Sequence, residues 1–186
     1  MTQDVEVYVD YKSPYAYLAV EPAWALERDF DVRLLWRPYV LDIPSFLGAA
    51  QVDAAGNVLS EARNAHQWRR VRYSYMDCRR YASQRGLVIR GPRKIFDSSI
   101  AAVGMLYALD QKGPVFRRYN DLVFERFWKR ELDIEQPAVI AAVLAEAGAD
   151  TGGFAAFLAG PGRERLKGVM DAAHEQGVFG VPTFTV

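Results

Sequence analysis

Between residues 5 and 39 the apolar rhythm of the chain changes twice, and this restricts the fold more than any other feature. Val5, Val7 and Val9 alternate with Glu6 and Tyr8, which puts the three valines on one face of a β-strand. A short connection, Asp10-Tyr11-Lys12-Ser13-Pro14, follows. Ser13 is a good helix N-cap, and Pro14 suits the first helical position. A helix is expected over 14–28, with Leu18, Pro22 and Leu26 on one face and Trp24 and Ala25 flanking them. Residues 32–39 (VRLLWRPY) read as a second strand. Strand, helix and strand at this spacing make a βαβ unit, which favours parallel pairing through a right-handed crossover.

The rest of the chain is mostly helical. Residues 41–64 read as a loop, with Pro44, Gly48, Gly56 and Asn57. Helices are expected over 62–85, 98–112, 114–130, 136–147, 153–158 and 162–176, with Asp97 or Ser98 capping the second and Gly148 ending the fourth. This block is too large for a loop and reads as a helical insertion. Residues 178–186 (VFGVPTFTV) read as a strand entered through a Gly-Val-Pro turn. A sheet ending there has an exposed edge, so the natural chain is expected to continue past Val186.

Lys plus Arg and Asp plus Glu are 23 each in 186 residues. That balance creates no electrostatic demand for nucleic acid or an anionic membrane, and an anionic ligand would need local groups to hold it. With 51% hydrophobic and 25% charged residues the chain is globular rather than disordered. Cys78 is the single cysteine, and the two histidines, His66 and His174, lie far apart. Neither an internal disulfide nor a CxxC pair is possible, and no zinc or other metal site is expected. The start, MTQDVEVYVD, has no basic, apolar leader pattern, and no apolar run approaches a membrane span. A cytoplasmic protein is the expectation.

Two short segments at opposite ends of the chain carry the chemistry. Ser13-Pro14-Tyr15-Ala16 lies between strand and helix, where unpaired N–H groups and the helix dipole favour an anion. In Gly180-Val181-Pro182-Thr183, a proline opening a strand after a tight turn is a candidate cis peptide. The N–H and C=O of Val181 would then be free to pair with an extended, peptide-like ligand.

This arrangement resembles the DsbA family of thioredoxin-fold proteins, in which a CPxC motif opens the first helix and faces a cis-proline loop. More closely it resembles the branch that contains 2-hydroxychromene-2-carboxylate isomerases and kappa-class glutathione transferases. The residues that carry the likeness are DYKSPYAYLA at 10–19, Trp36-Arg37-Pro38, YSYMDCRRYASQRG at 73–86 and GVFGVPTF at 177–184. The resemblance implies an α/β, thioredoxin-like fold with a large all-helical insertion: a core from residues 1–44 plus 177–186, and an inserted helical subdomain over 45–176. It implies glutathione as cofactor, with Ser13 in the place of the nucleophilic cysteine and hydrogen-bonded to the glutathione sulfur. Hydrogen bonding to the charged form favours thiolate, the nucleophilic species.

By the same resemblance Val181, before Pro182, pairs with the glutathione backbone. Arg70 stands where the branch has a lysine, seven residues before Asp77, and keeps its charge. Gly56-Asn57 corresponds to a Gly-Asn of the branch, at a longer spacing. Residues for the glutamyl end of glutathione would lie beyond Val186. Lys12 departs from the branch pattern and is a candidate to hold a substrate carboxylate, to lower a thiol pKa, or simply to face solvent. Tyr15 is the best placed aromatic for stacking on an aromatic substrate.

Plainer roles stand beside these. Ser13 as an N-cap alone, Cys78 as a packed small hydrophobe, Tyr17, Trp36 and Trp128 as core or cleft lining, and the other arginines near Arg70 as a solvated face are each ordinary. The function implied is a glutathione-dependent isomerase of the 2-hydroxychromene-2-carboxylate type, a homodimer acting on a small aromatic or electrophilic substrate. A kappa-like glutathione transferase or peroxidase, and a DsbA-like protein with a non-redox binding role, are the alternatives. A dithiol oxidoreductase would need a second active-site sulfur.

Overall fold

The computed structural model describes residues 2–186; Met1, the first residue of the expected core segment, lies outside the described residues. The N-terminal unit forms as its rhythm requires: strand β1 (Gln3–Val9), helix α1 (Pro14–Asp29) and strand β2 (Val32–Pro38). β1 and β2 pair in parallel, from Gln3 opposite Val32 to Val9 opposite Pro38. The last strand, β5 (Thr183–Thr185), lies antiparallel on the other side of β1, with Val7 opposite Phe184, so the sheet order is β2-β1-β5. The alternation in β1 divides its side chains as expected. Val5, Val7 and Val9 enter one hydrophobic cluster, while Tyr8 packs with Tyr39, Ala173 and Val178 on the opposite face.

Helices α3 (Ala65–Gln84), α4 (Ser99–Leu109), α5 (Val115–Lys129), α6 (Pro137–Ala147), α7 (Phe154–Ala159) and α8 (Pro161–Glu175) follow the predicted segments closely. Their ends are set by local chemistry. Asn64 and Gln67 form a reciprocal capping box on α3. Gly148 ends α6 in the left-handed conformation at φ 97°. Side chains of α4, α5 and α6 share one cluster with β1, β2 and α1, and α8 supplies Ala173 to the other face of the sheet.

Two sequence expectations are corrected. Residues 41–64 are not all loop: they form a short helix α2 (Ile43–Leu47) and a hairpin of β3 (Ala50–Val52) and β4 (Val58–Glu61). All four residues of β4 are exposed, so no burial alternation marks it. In α1 the buried residues are Ala16, Tyr17, Leu18, Val20 and Ala23, and Pro22 is exposed. Pro22 has no N–H to give the Leu18 carbonyl four residues earlier. Arg85 Nη1, at the end of α3, donates to that carbonyl instead, at 2.6 Å.

Candidate functional site

The two segments singled out in the sequence meet. Ser13 is the N-cap of α1: its Oγ accepts from Ala16 N–H at 3.2 Å. The same hydroxyl faces the Val181 carbonyl, 168 residues away, as a long contact of 3.4 Å. The Val181–Pro182 peptide is cis. Val181 N–H has no acceptor among the described residues, and Thr183 Oγ1 closes the turn on the Gly180 carbonyl at 2.7 Å. In the first turn of α1, Pro14 has no N–H and Ala16 N–H is held by Ser13. Tyr15 N–H therefore remains without a backbone acceptor among the described residues, at the positive end of the helix.

This meeting point opens into a cleft of about 800 Å³. One wall is α3, which turns Trp68, Val71 and Tyr75 inward at helical spacing. The α2 and hairpin segment supplies Phe46, Leu47, Ala50 and Val52. The stretch from Pro92 to Phe96 forms the facing wall, and the hairpin reaches it through Val52 N–H to the Arg93 carbonyl at 2.8 Å. That wall is itself anchored: Arg130, a left-handed residue at the end of α5 with φ 64°, donates from Nε to the Gly91 carbonyl at 2.8 Å. Glu135 accepts from Asp97 N–H at 2.7 Å and pairs with Lys94.

Lys12 does not face solvent. Only 4% of its side chain is exposed; its ammonium lies 2.8 Å from Asp10 Oδ2 and donates to Ser98 Oγ at 2.8 Å. Two of its three donors are thus engaged within the protein. Asp10, with no exposed side-chain surface, also accepts from Lys12 N–H at 3.1 Å and Leu41 N–H at 2.7 Å. The Asp10–Lys12 pair therefore ties together the loop bearing Ser13, the exit of β2 through the carboxylate, and the start of α4 through the ammonium. Ser98 holds the N-cap position of α4, but its hydroxyl makes no cap hydrogen bond; Asp97 supplies a side-chain acceptor instead, taking Ser99 N–H at 2.8 Å and Ser99 Oγ at 2.9 Å.

Tyr15 and Arg70 both line the cleft. Tyr15 Oη donates to Asp77 Oδ2 at 2.9 Å, and burial, with this bond added, pushes its phenol well up. Asn57 is not brought to the site. It sits at the hairpin turn, where its N–H and Nδ2 both go to the Asp53 carboxylate at 2.9 Å. A turn closed this way leaves its side chain no reach into the cleft. Cys78 is fully buried in the core, and burial raises its thiol to about 11. Tyr17, Trp36 and Trp128 are likewise core residues. Trp68, Phe96 and Arg93, which the sequence reading passed over, line the cleft. The spacing of Trp68, Val71 and Tyr75 on α3 was the available signal; Arg93 and Phe96 lie in a segment without periodicity.

Several known proteins resemble this chain. A 2-hydroxychromene-2-carboxylate isomerase of Pseudomonas putida is 27% identical over 180 residues, spanning 96% of this chain and 83% of that protein. A solved 2-hydroxychromene-2-carboxylate isomerase superposes with a TM-score of 0.72 at 24% identity, covering 99% of this chain and 85% of the other. The cytosolic disulfide reductase DsbM of Pseudomonas aeruginosa, solved with GSH, gives a TM-score of 0.64 at 16% identity, covering 98% and 85%. The fold is thus thioredoxin-like with a helical insertion. Its β1–α1 serine faces a cis-proline turn at the same end of the β1–β5 pair, and with the DSBA-like thioredoxin domain matched over residues 4–186, the chain belongs to that family.

Proposed function

We propose that this chain is a glutathione-dependent isomerase acting on an aromatic, ring-derived carboxylate. Likeness to an isomerase and to a disulfide reductase supports an isomerase or thiol-oxidoreductase type of activity. One observation favours the isomerase: where the CPxC pair of the DsbA family would stand, this chain has Ser13-Pro14-Tyr15-Ala16, and its single cysteine is buried in the core. When bound, glutathione supplies the sulfur nucleophile that the protein itself lacks at this position.

The residues present fit such a ligand. Val181 N–H is an unpaired donor beside a weakly engaged carbonyl, which suits an extended peptide backbone. The Ser13 hydroxyl gives up only a 3.4 Å contact on turning to an anion in the cleft, and donation to the charged form favours it over the protonated one. Tyr15 N–H and the α1 dipole act in the same direction. Arg70 holds a carboxylate through two N–H groups. Tyr15 and the aromatic wall of α3 orient a flat substrate and exclude water from it.

Calorimetric titration of glutathione tests the reading. The wild type is expected to bind in the micromolar-to-millimolar range. Ser13→Ala should keep much of the binding but lose the ultraviolet thiolate absorbance of the bound sulfur. Val181→Pro should bind poorly, because it removes a backbone donor. Turnover of a chromene carboxylate should consume no glutathione. Absence of heat, together with no protection against unfolding at high glutathione, would refute the cofactor; consumption of glutathione would refute the isomerase.

A further inference from the structure

The cleft is electrostatically one-sided in a chain whose charges balance. Among the described residues, seven lysines and arginines line it and no aspartate or glutamate does. Among the described residues, two of these cations have a carboxylate partner, Lys12 with Asp10 and Lys94 with Glu135. Two more are oriented by neutral groups. Arg63 donates to the Leu47 carbonyl at 3.0 Å and lies over the Trp68 ring; Arg79 donates to the Ile89 carbonyl at 3.1 Å and lies over Tyr75. Such contacts fix a guanidinium without cancelling its charge.

The remaining three, Arg70, Arg72 and Arg93, have neither an ion pair nor a side-chain hydrogen bond among the described residues. Glu61 borders a neighbouring surface depression with Arg72 and accepts from Trp68 Nε1; it keeps its charge but forms no ion pair with Arg72 among the described residues. The three come from both walls, Arg70 and Arg72 from α3 and Arg93 from the segment the hairpin reaches. Phe46, Trp68 and Phe96 line the same cleft and give it an apolar surface beside these charges.

On the glutathione reading, Arg70 is taken up by a carboxylate of the cofactor. That leaves Arg72 and Arg93 for the second ligand. Two unpaired guanidiniums on a cleft lined with aromatic side chains match two negative charges on a flat apolar body better than one. We infer that Arg72 and Arg93 form a second anion subsite, and that the substrate is an aromatic or conjugated dianion, a dicarboxylate or a phosphate monoester. This rests on the proposed function, since it is glutathione that occupies Arg70.

Direct binding tests it without turnover. Tryptophan fluorescence and calorimetry, with S-methylglutathione present as an unreactive partner, would compare 1-naphthyl phosphate, naphthalene-1,4-dicarboxylate, 1-naphthoate and 1-naphthol. Either dianion is expected to bind about tenfold or more tightly than 1-naphthoate, a difference of about 1.4 kcal/mol, and the advantage should shrink in high salt. Whichever dianion binds tighter identifies the anionic group. Arg72→Gln and Arg93→Gln should each remove most of the advantage; both side chains are exposed, so the fold should tolerate the change.

Equal affinity for 1-naphthoate and both dianions while S-methylglutathione binds would overturn the inference and leave the glutathione reading standing. Dianion binding that both arginine substitutions reduce, without any S-methylglutathione binding, would refute the glutathione reading and with it the assignment of Arg70 that makes this subsite a second one, leaving a single anion site at Arg72 and Arg93. A dianion advantage unchanged in both variants would also overturn it.

Discussion

Lys12→Met removes one half of a buried ion pair while keeping most of the volume of the side chain. Asp10 would be left with its charge, no exposed side-chain surface, and two backbone donors, Lys12 N–H and Leu41 N–H. Stranding one partner of a buried pair costs about 3–5 kcal/mol. Because the two backbone hydrogen bonds remain, the low end applies, about 3 kcal/mol. In a chain of this length each kcal/mol lowers Tm by about 2–4 °C, so a loss of roughly 6–12 °C is expected.

Urea unfolding, with the midpoint and slope compared between variants, is the assay. Asp10→Asn alone should also destabilise, since the ammonium would keep only Ser98 and a neutral amide. The double variant Asp10→Asn/Lys12→Met should be more stable than the sum of the two losses predicts, with a coupling of about 2 kcal/mol. A Lys12→Met loss under about 1 kcal/mol, additive with Asp10→Asn, would refute this reasoning. It would mean that the ammonium is not committed to Asp10 and is available to a substrate carboxylate in the cleft.

Two further outcomes follow from packing and charge. Arg85→Ala leaves the Leu18 carbonyl without a donor and should cost about 1–3 kcal/mol; in a Pro22→Ala background, where the residue at 22 regains an N–H, denaturation should show a much smaller loss. Burial opposes the charge of Glu6, but hydrogen bonds from Arg37 and Tyr8 outweigh it and hold the carboxyl below its ordinary value. Its contribution is therefore present at neutral pH and lost as pH falls through the depressed value. Glu6→Gln should flatten that acid limb of a stability–pH curve while costing under about 1 kcal/mol at pH 7.

How much of this was legible beforehand depended on how local the signal was. Strand, helix cap and turn residues announce themselves within a few positions. Thus β1, α1 and β2 could be read from apolar spacing, Ser13 as a cap from its place before Pro14, and the cis turn from Gly180-Val181-Pro182. The hairpin of β3 and β4 escaped because its outer strand is exposed throughout and its inner strand is anchored by a distant carbonyl, that of Arg93. Asn57 was misplaced because a Gly-Asn pair marks a turn and a ligand contact equally well until the acceptor is known; here it is Asp53. Helical spacing grouped Pro22 with Leu18 and Leu26, but periodicity cannot foresee that Pro22 is exposed or that the carbonyl it leaves without a donor is served by Arg85 of another helix.

By itself the sequence determined the βαβ start, the helical block, the absence of a sulfur between β1 and α1, and the zero overall charge. Those properties rest on covalent order, on hydrogen bonds a few residues long and on residue counts. The tertiary structure alone decided that Ser13 meets Val181 across 168 residues, that Lys12 is neutralised by Asp10 and held by Ser98 across 86, and that unpaired arginines gather on one cleft. Solvent screens a charge, and water satisfies an N–H, until the folded chain excludes it. Which groups stay unpaired, and so remain free to hold a ligand, is settled only when the walls close around them.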